Sequence, residues 1–232
     1  MKHFSSVQYV AIGLIILSLL MNYAYFRQVG NFNSPIIEYE FVKNEQDVKN
    51  IFTENNEFKK AELKGVRDQN IIDYAYMLFY TALLILSFHN IRMTEKKNIY
   101  VLGVIFSFIA LAGDIIENIQ MFQISELLVN RLSFSKQVET LFIITRIKWL
   151  CLALAMFIMS VHYYKYKFTG KLFAFISALP VISVLALMIF KDSGNDFVKI
   201  FTTLIILSFV TLMIWIFISS KIDSKISFYK KQ

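Results

Sequence analysis

Over most of this chain the apolar residues neither alternate nor form one-sided stripes. They run together in six blocks, at 7–26, 71–89, 99–122, 141–161, 172–190 and 198–219. Each block is close to or above the ~20 residues that a helix needs to cross a bilayer. Barrel strands alternate over about 10 residues, so continuous runs predict helices instead. The pattern predicts an all-α fold: a polytopic membrane bundle of about six transmembrane helices, forming one integral membrane domain over 1–232.

The joint at 27–70 is the one long polar stretch, and it has patterning of its own. Pro35-Ile-Ile-Glu-Tyr-Glu-Phe-Val42 alternates, with Ile37, Tyr39 and Phe41 on one side and Glu38 and Glu40 on the other. That period predicts a short strand or an extended interfacial segment. Asn44 is placed to cap a following helix, with Asp47 three residues on and Val48, Ile51 and Phe52 as its apolar stripe. A short amphipathic helix over about 45–54 follows, lying on the bundle mouth or the headgroups. The segment is then either a tacked-down connector or a lid that brings Glu40 over a site.

One block breaks the apolar rule. The third carries Ala-Gly-Asp114-Ile-Ile-Glu117-Asn118, whose three polar residues stand at i, i+3 and i+4 and so share a helix face. A charge at the centre of the hydrocarbon costs roughly 2.5–3.5 kcal/mol on insertion scales, so a set of this kind implies partners, water or a ligand. Below Asp114 the same face continues through Ala110, Ser107 and Gly103, small residues suited to close helix packing.

Composition and charge agree with the pattern. Hydrophobic residues make up 56% of the chain and charged ones 18%, as in membrane proteins. The net charge of +7 is explained by position. With both termini inside, the inner segments hold eleven basic residues: Lys2, Arg92, Lys96, Lys97, Lys165, Lys167, Lys171, Lys221, Lys225, Lys230 and Lys231. The two short outer loops hold four: Arg131, Lys136, Lys191 and Lys199. This asymmetry orients the bundle N-in and C-in, with 27–70 outside and the basic ends against anionic lipid rather than nucleic acid. The long joint, with seven basic and eight acidic residues, is no polyanion binder. Lys2 before an apolar core resembles a signal peptide, but no small-x-small cleavage site follows, so the first block reads as a retained span. Cys151 is the single cysteine, which leaves no internal disulfide, and no cysteine near the N-terminus invites lipidation.

Depth brings more residues to the acidic face. Asp114 falls about 22 Å from the inner end of its span, in the outer part of the bilayer. Asp73 opens the second span near the outer surface, with Tyr76 or Met77 and then Tyr80 below it. In the fourth span Arg146 and Lys148 lie roughly 7–11 Å past Leu141, and Thr145 shares the Lys148 face. Arg146 lies about 200° around the helix from Lys148, so the two cannot meet the same partner, and Arg146 is the nearer to the surface. The candidate site is therefore Asp73, Tyr80, Asp114, Glu117, Asn118 and Lys148, with Arg146 and Glu40 as further members. It sits on 71–161, and the blocks over 172–219 supply a supporting wall. The same residues also fit a purely structural network, although buried ion pairs are an odd way to build a bundle.

His3, His89 and His162 share no metal spacing, and no phosphate loop or nucleophile motif is present, so no cofactor or metal is expected. Pro180 predicts a kink in the fifth span. The halves show no inverted repeat.

The succession Glu40-Phe41, Asp73 with Tyr80, Asp-x-x-Glu-Asn, and Thr145-x-x-Lys148 resembles an uncharacterised family of small bacterial multi-pass membrane proteins. The resemblance covers about 36–149, and its most specific part is Asp114-x-x-Glu117-Asn118. It implies a bacterial cytoplasmic membrane location and supports the choice of site residues, and it implies no reaction. Tyr39-Glu40 before Phe41, and Arg146 beside Lys148, depart from its pattern. The expectation is an outward-facing polar site that binds or transports a small cation or a polar or amphiphilic ligand. One alternative is an enzyme using acid–base chemistry on a lipid; another is a structural subunit with a membrane protein partner.

Overall fold

In the computed structural model the chain is an all-α bundle, described over residues 6–54, 57–166, 168–189 and 195–229, with the backbone alone at 186–189, 195–197 and 219–229. Lys2, His3, Lys167, Lys191, Lys230 and Lys231 lie outside the described residues, as do the side chains of Lys221 and Lys225. Eight helices follow one another among the described residues: α1 (Ser6–Val29), α2 (Ile36–Glu40), α3 (Glu45–Phe52), α4 (Lys60–Glu95), α5 (Ile99–Val129), α6 (Ser135–Tyr163), α7 (Phe168–Ile189) and α8 (Asn195–Tyr229). Six of them, α1 and α4 to α8, are long and apolar enough to span a membrane. This is the fold of a multi-pass membrane protein. A two-residue ladder, Thr53–Glu54 (β1) against Glu57–Phe58 (β2), links α3 to α4.

Each long helix packs on the next in sequence, and α8 returns to touch α1 and α6. Close approach is set by small residues on the apposed faces. At Gly103 of α5 an added Cβ would stand 2.5 Å from the Phe88 ring of α4, so a larger residue would have to displace that ring or part the helices. Pro180 lies inside α7, where its missing N–H leaves the carbonyl of Ile176 without its helical donor. Ser208 of α8 shares its hydroxyl between its own Leu204 carbonyl at 2.9 Å and that oxygen at 3.3 Å. A neighbouring helix thus offers a partial replacement for the donor that the proline removes, as lipid cannot.

The joint between α1 and α4 is shorter and more helical than its polar composition suggests. α1 continues to Val29, and α4 starts at Lys60, a full three turns before the apolar block. The sequence there, Lys-Ala-Glu-Leu-Lys, is rich in strong helix formers. α3 forms as its pattern predicts: Asn44 caps it, accepting from the Asp47 N–H at 3.0 Å, and Val48 and Phe52 are fully buried. In water, burying each of these two side chains contributes about 1.5–3 kcal/mol.

The expected strand at 35–42 is not formed. Ile36–Glu40 is a single helical turn opening after Pro35, a residue suited to a helix start because it has no N–H to satisfy. The reason is burial. A strand would put Tyr39 and Glu40 on opposite faces, whereas one helical turn turns both inward, and both are buried. The Tyr39 hydroxyl donates to the Met121 carbonyl of α5 at 2.8 Å, and its ring meets Phe52 edge-on at 5.0 Å. Tyr39, Val48, Phe52, Leu63, Met121 and Leu141 belong to a second apolar core, separate from the one between the spans. The joint is a packed cap on one end of the bundle.

Candidate functional site

The α5 face carrying Asp114, Glu117 and Asn118 turns into the bundle, toward α4 and α6. All three residues are buried, as are Gly103, Ser107 and Ala110 below them. At Gly113 an added Cβ would stand 3.0 Å from the Cβ of Lys148, so glycine allows the α6 lysine to lie across α5 at this level.

Lys148 is the hub. Its Nζ lies 3.0 Å from Asp114 Oδ1 and 3.1 Å from Glu40 Oε2, and it donates to Glu117 Oε1. Each acid is held from a second direction. Thr145, one turn before Lys148, donates to Glu117 Oε2 at 2.6 Å. Tyr80 of α4 donates to Asp114 Oδ2. Trp149 donates its indole N–H to Glu40 Oε2 at 3.1 Å. Above this group, Asn118 donates to Asp73 Oδ2 at 2.7 Å, and Asp73 is half-buried on α4.

The cluster is closed. Side-chain exposure is 4% at Lys148, 2% at Glu117, 8% at Asp114 and 11% at Glu40. The expectation of a site open to the outside therefore needs correction: α2 covers it, and its Glu40 is part of it. Burial pushes the Glu40 carboxyl above its usual range, with the Lys148 ammonium acting in the opposite direction. Phe41 follows, stacked on Trp149 and edge-on to Phe201 of α8. On the other side of Phe41 a cleft of about 220 Å³ opens between α2 and α8, lined by Ser34, Ile37, Glu38, Lys199, Thr202 and Thr203 among others. Glu38 and Lys199 face each other across it at 3.8 Å.

Five of the eight candidates, Tyr80, Asp114, Glu117, Lys148 and Glu40, thus meet at one centre, and Asn118 and Asp73 pair with each other beside it. Arg146 does neither. Its guanidinium lies over the Phe142 ring, 3.3 Å from the centroid, and donates to the Phe142 carbonyl at 2.9 Å. Of two cations two residues apart, packing selects Lys148, and Arg146 occupies the other side of α6. Sequence reasoning missed Trp149, because tryptophan in a membrane chain reads as an interface anchor, and its adjacency to Lys148 was the available signal.

It also missed a second polar cluster at the opposite end of the same helices. Glu95, at the end of α4, accepts from Tyr100 of α5 at 2.7 Å and contacts His162 Nδ1 of α6 at 2.6 Å. Lys165 pairs with the same carboxylate. The His162 ring packs among Tyr163, Tyr166 and Trp215 of α8. In the sequence Glu95 falls in the polar stretch between two apolar blocks, which hid its pairing with His162.

A polytopic α-helical membrane protein with a buried carboxylate–lysine centre is the class that this fold and site define. Comparison of the chain with protein-family models, curated proteins and solved structures gives no match.

Proposed function

We propose that this is a multi-pass protein of the bacterial cytoplasmic membrane, with both termini inside, which binds a small cation at the Lys148 centre, and that the cation is a proton. The observation that carries this reading is charge balance: one ammonium is shared by Asp114, Glu117 and Glu40, with Asp73 close enough to interact electrostatically. Fully ionised, the four acids exceed the one base by three charges in a medium that screens them poorly, and neighbouring carboxylates in such a place cannot all ionise. A bound positive charge is the remedy. A metal ion fits the donor set badly, because the ammonium occupies the middle, and among the described residues no group of three or more histidine, cysteine or acidic side chains is arranged to hold one. A proton needs no cavity. Exchange with water runs past α2, where Phe41, the residue after Glu40, lines the cleft.

The test is infrared spectroscopy of the purified protein in lipid through an acid-to-alkaline titration, comparing wild type with Glu117→Gln and Asp114→Asn. The expected result is a protonated-carboxyl band that disappears reversibly as pH rises and is reduced in each monodisperse variant. Wild type without a titrating band overturns the reading, and displacement of the band by sodium or potassium ions at constant pH would replace the proton with a metal cation.

A further inference from the structure

The cluster at Glu95 stands on the same three helices as the Lys148 centre, one level for one level. Tyr80 and Glu95 lie on α4, Asp114 and Tyr100 on α5, and Lys148 and His162 on α6. At the helical rise each pair is separated by about 21–23 Å, most of the hydrocarbon thickness. We infer that the two clusters are the entry and exit of one proton path, so that the protein moves protons across the membrane through the interior of the bundle. This rests on the reading of the Lys148 centre as a proton site.

Three buried hydroxyls have no protein partner among the described residues: Thr81 on α4 beside the acid centre, Ser177 at the middle of α7, and Tyr163 on α6 beside the second cluster. Such groups inside a protein bond to internal water, and unpartnered ones are rare. Here they are distributed in depth. Thr81 follows Tyr80 at the level of the acid centre, Ser177 is near the bilayer middle, and Tyr163 adjoins His162. The Tyr163 ring packs edge-on against Phe173 of α7 and Trp215 of α8, so it reaches from α6 toward the helix that carries Ser177. All three residues are at most 3% exposed.

The exit cluster has the groups that a relay requires. Histidine takes a proton on one ring nitrogen and releases it from the other, and the Glu95 carboxylate fixes the ring through Nδ1. The titratable groups facing His162 are Glu95 from α4, Tyr100 from α5 through Glu95, and Tyr163, Lys165 and Tyr166 from its own end of α6; α8 adds Trp215. Transfer is a proton relay with no bond-making beyond O–H and N–H: a carboxyl at the Lys148 centre gives up its proton to water, and Glu95 or His162 accepts one.

The experiment is proton flux into proteoliposomes that contain an entrapped pH indicator, driven by a potassium diffusion potential. Wild type should acidify or alkalinise the lumen according to the sign of the potential, faster than protein-free vesicles. Glu95→Gln and His162→Gln should each slow this by roughly tenfold or more, while the infrared titration of the Lys148 centre stays as in wild type. Lys49→Ala, on the surface of α3, should conduct as wild type. A titrating centre in wild type vesicles no leakier than empty ones overturns the path and leaves the binding site standing. Full flux in both folded exit variants overturns it equally. If the infrared band is absent, the binding reading falls first.

Discussion

Two polar centres built on α4, α5 and α6 have inverted composition. At one end a single ammonium, Lys148, is surrounded by carboxylates; at the other a single carboxylate, Glu95, is surrounded by donors from Tyr100, His162 and Lys165. The first has more acids than bases, and the second has more donors than its one acid needs. The difference lies in what each can exchange. Under the proposed proton reading, the acid-rich centre is the one that holds protons and the donor-rich one passes them to water. Their burial differs too, since Lys165 is about a third exposed while Lys148 is nearly sealed.

Removing the hub should have the largest effect. Lys148→Met leaves its acids without their cation, and breaking a buried pair by deleting one partner costs about 3–5 kcal/mol. Thermal unfolding in detergent should show a large fall in Tm, partly restored when Glu117→Gln is added, because residues in one network are not additive. An unchanged Tm for Lys148→Met would mean that the acids are already neutral around it.

Glu95→Gln should cost less. It loses charge-assisted hydrogen bonds worth about 1.5–3 kcal/mol each, but water at that end can replace part of them. The same melting assay should rank it below Lys148→Met; the reverse order would make the Glu95 cluster the structural keystone.

The smallest effect belongs to an acid of the same kind in water. Glu45 of α3 accepts from the Ser133 hydroxyl at 2.6 Å and the Phe134 N–H at 2.7 Å, satisfying the start of α6. The Ser133 hydrogen bond is the main cause holding its carboxyl below the usual value of 4.5, and the Phe134 N–H and Lys49 act in the same direction. A depressed folded value means that the stabilisation is complete above the ordinary carboxylate range and is lost as pH falls through the folded value. Glu45→Gln should therefore melt slightly below wild type at neutral pH and level with it in strong acid. A gap that widens on acidification would show that Glu45 acts through something other than its charge.

The spans and the acidic face of α5 were legible in the chain because they depend on local hydropathy and helical period: an apolar run must be helical in lipid, and Asp114, Glu117 and Asn118 share a face in any helix. The cap helix α3 was legible for the same reason, since Asn44 and the Val48–Phe52 stripe act within two turns. What lay across the molecule was not. The alternation at 35–42 satisfied the strand period, and only the pocket formed by Met121, Ser125, Lys148 and Trp149 favours a helical turn, because it must receive Tyr39 and Glu40 together. The choice of Lys148 over Arg146 depends on how α6 is rotated against α5, which close packing at Gly113 decides and composition does not. Glu95 looked like a loop residue until α4, α5 and α6 brought Tyr100 and His162 to it. The sequence by itself determined which segments enter the membrane and which face of α5 is polar, since both follow from transfer to lipid. Tertiary structure decided which charges meet and that they meet out of water, since pairing depends on the rotation and depth of separate helices.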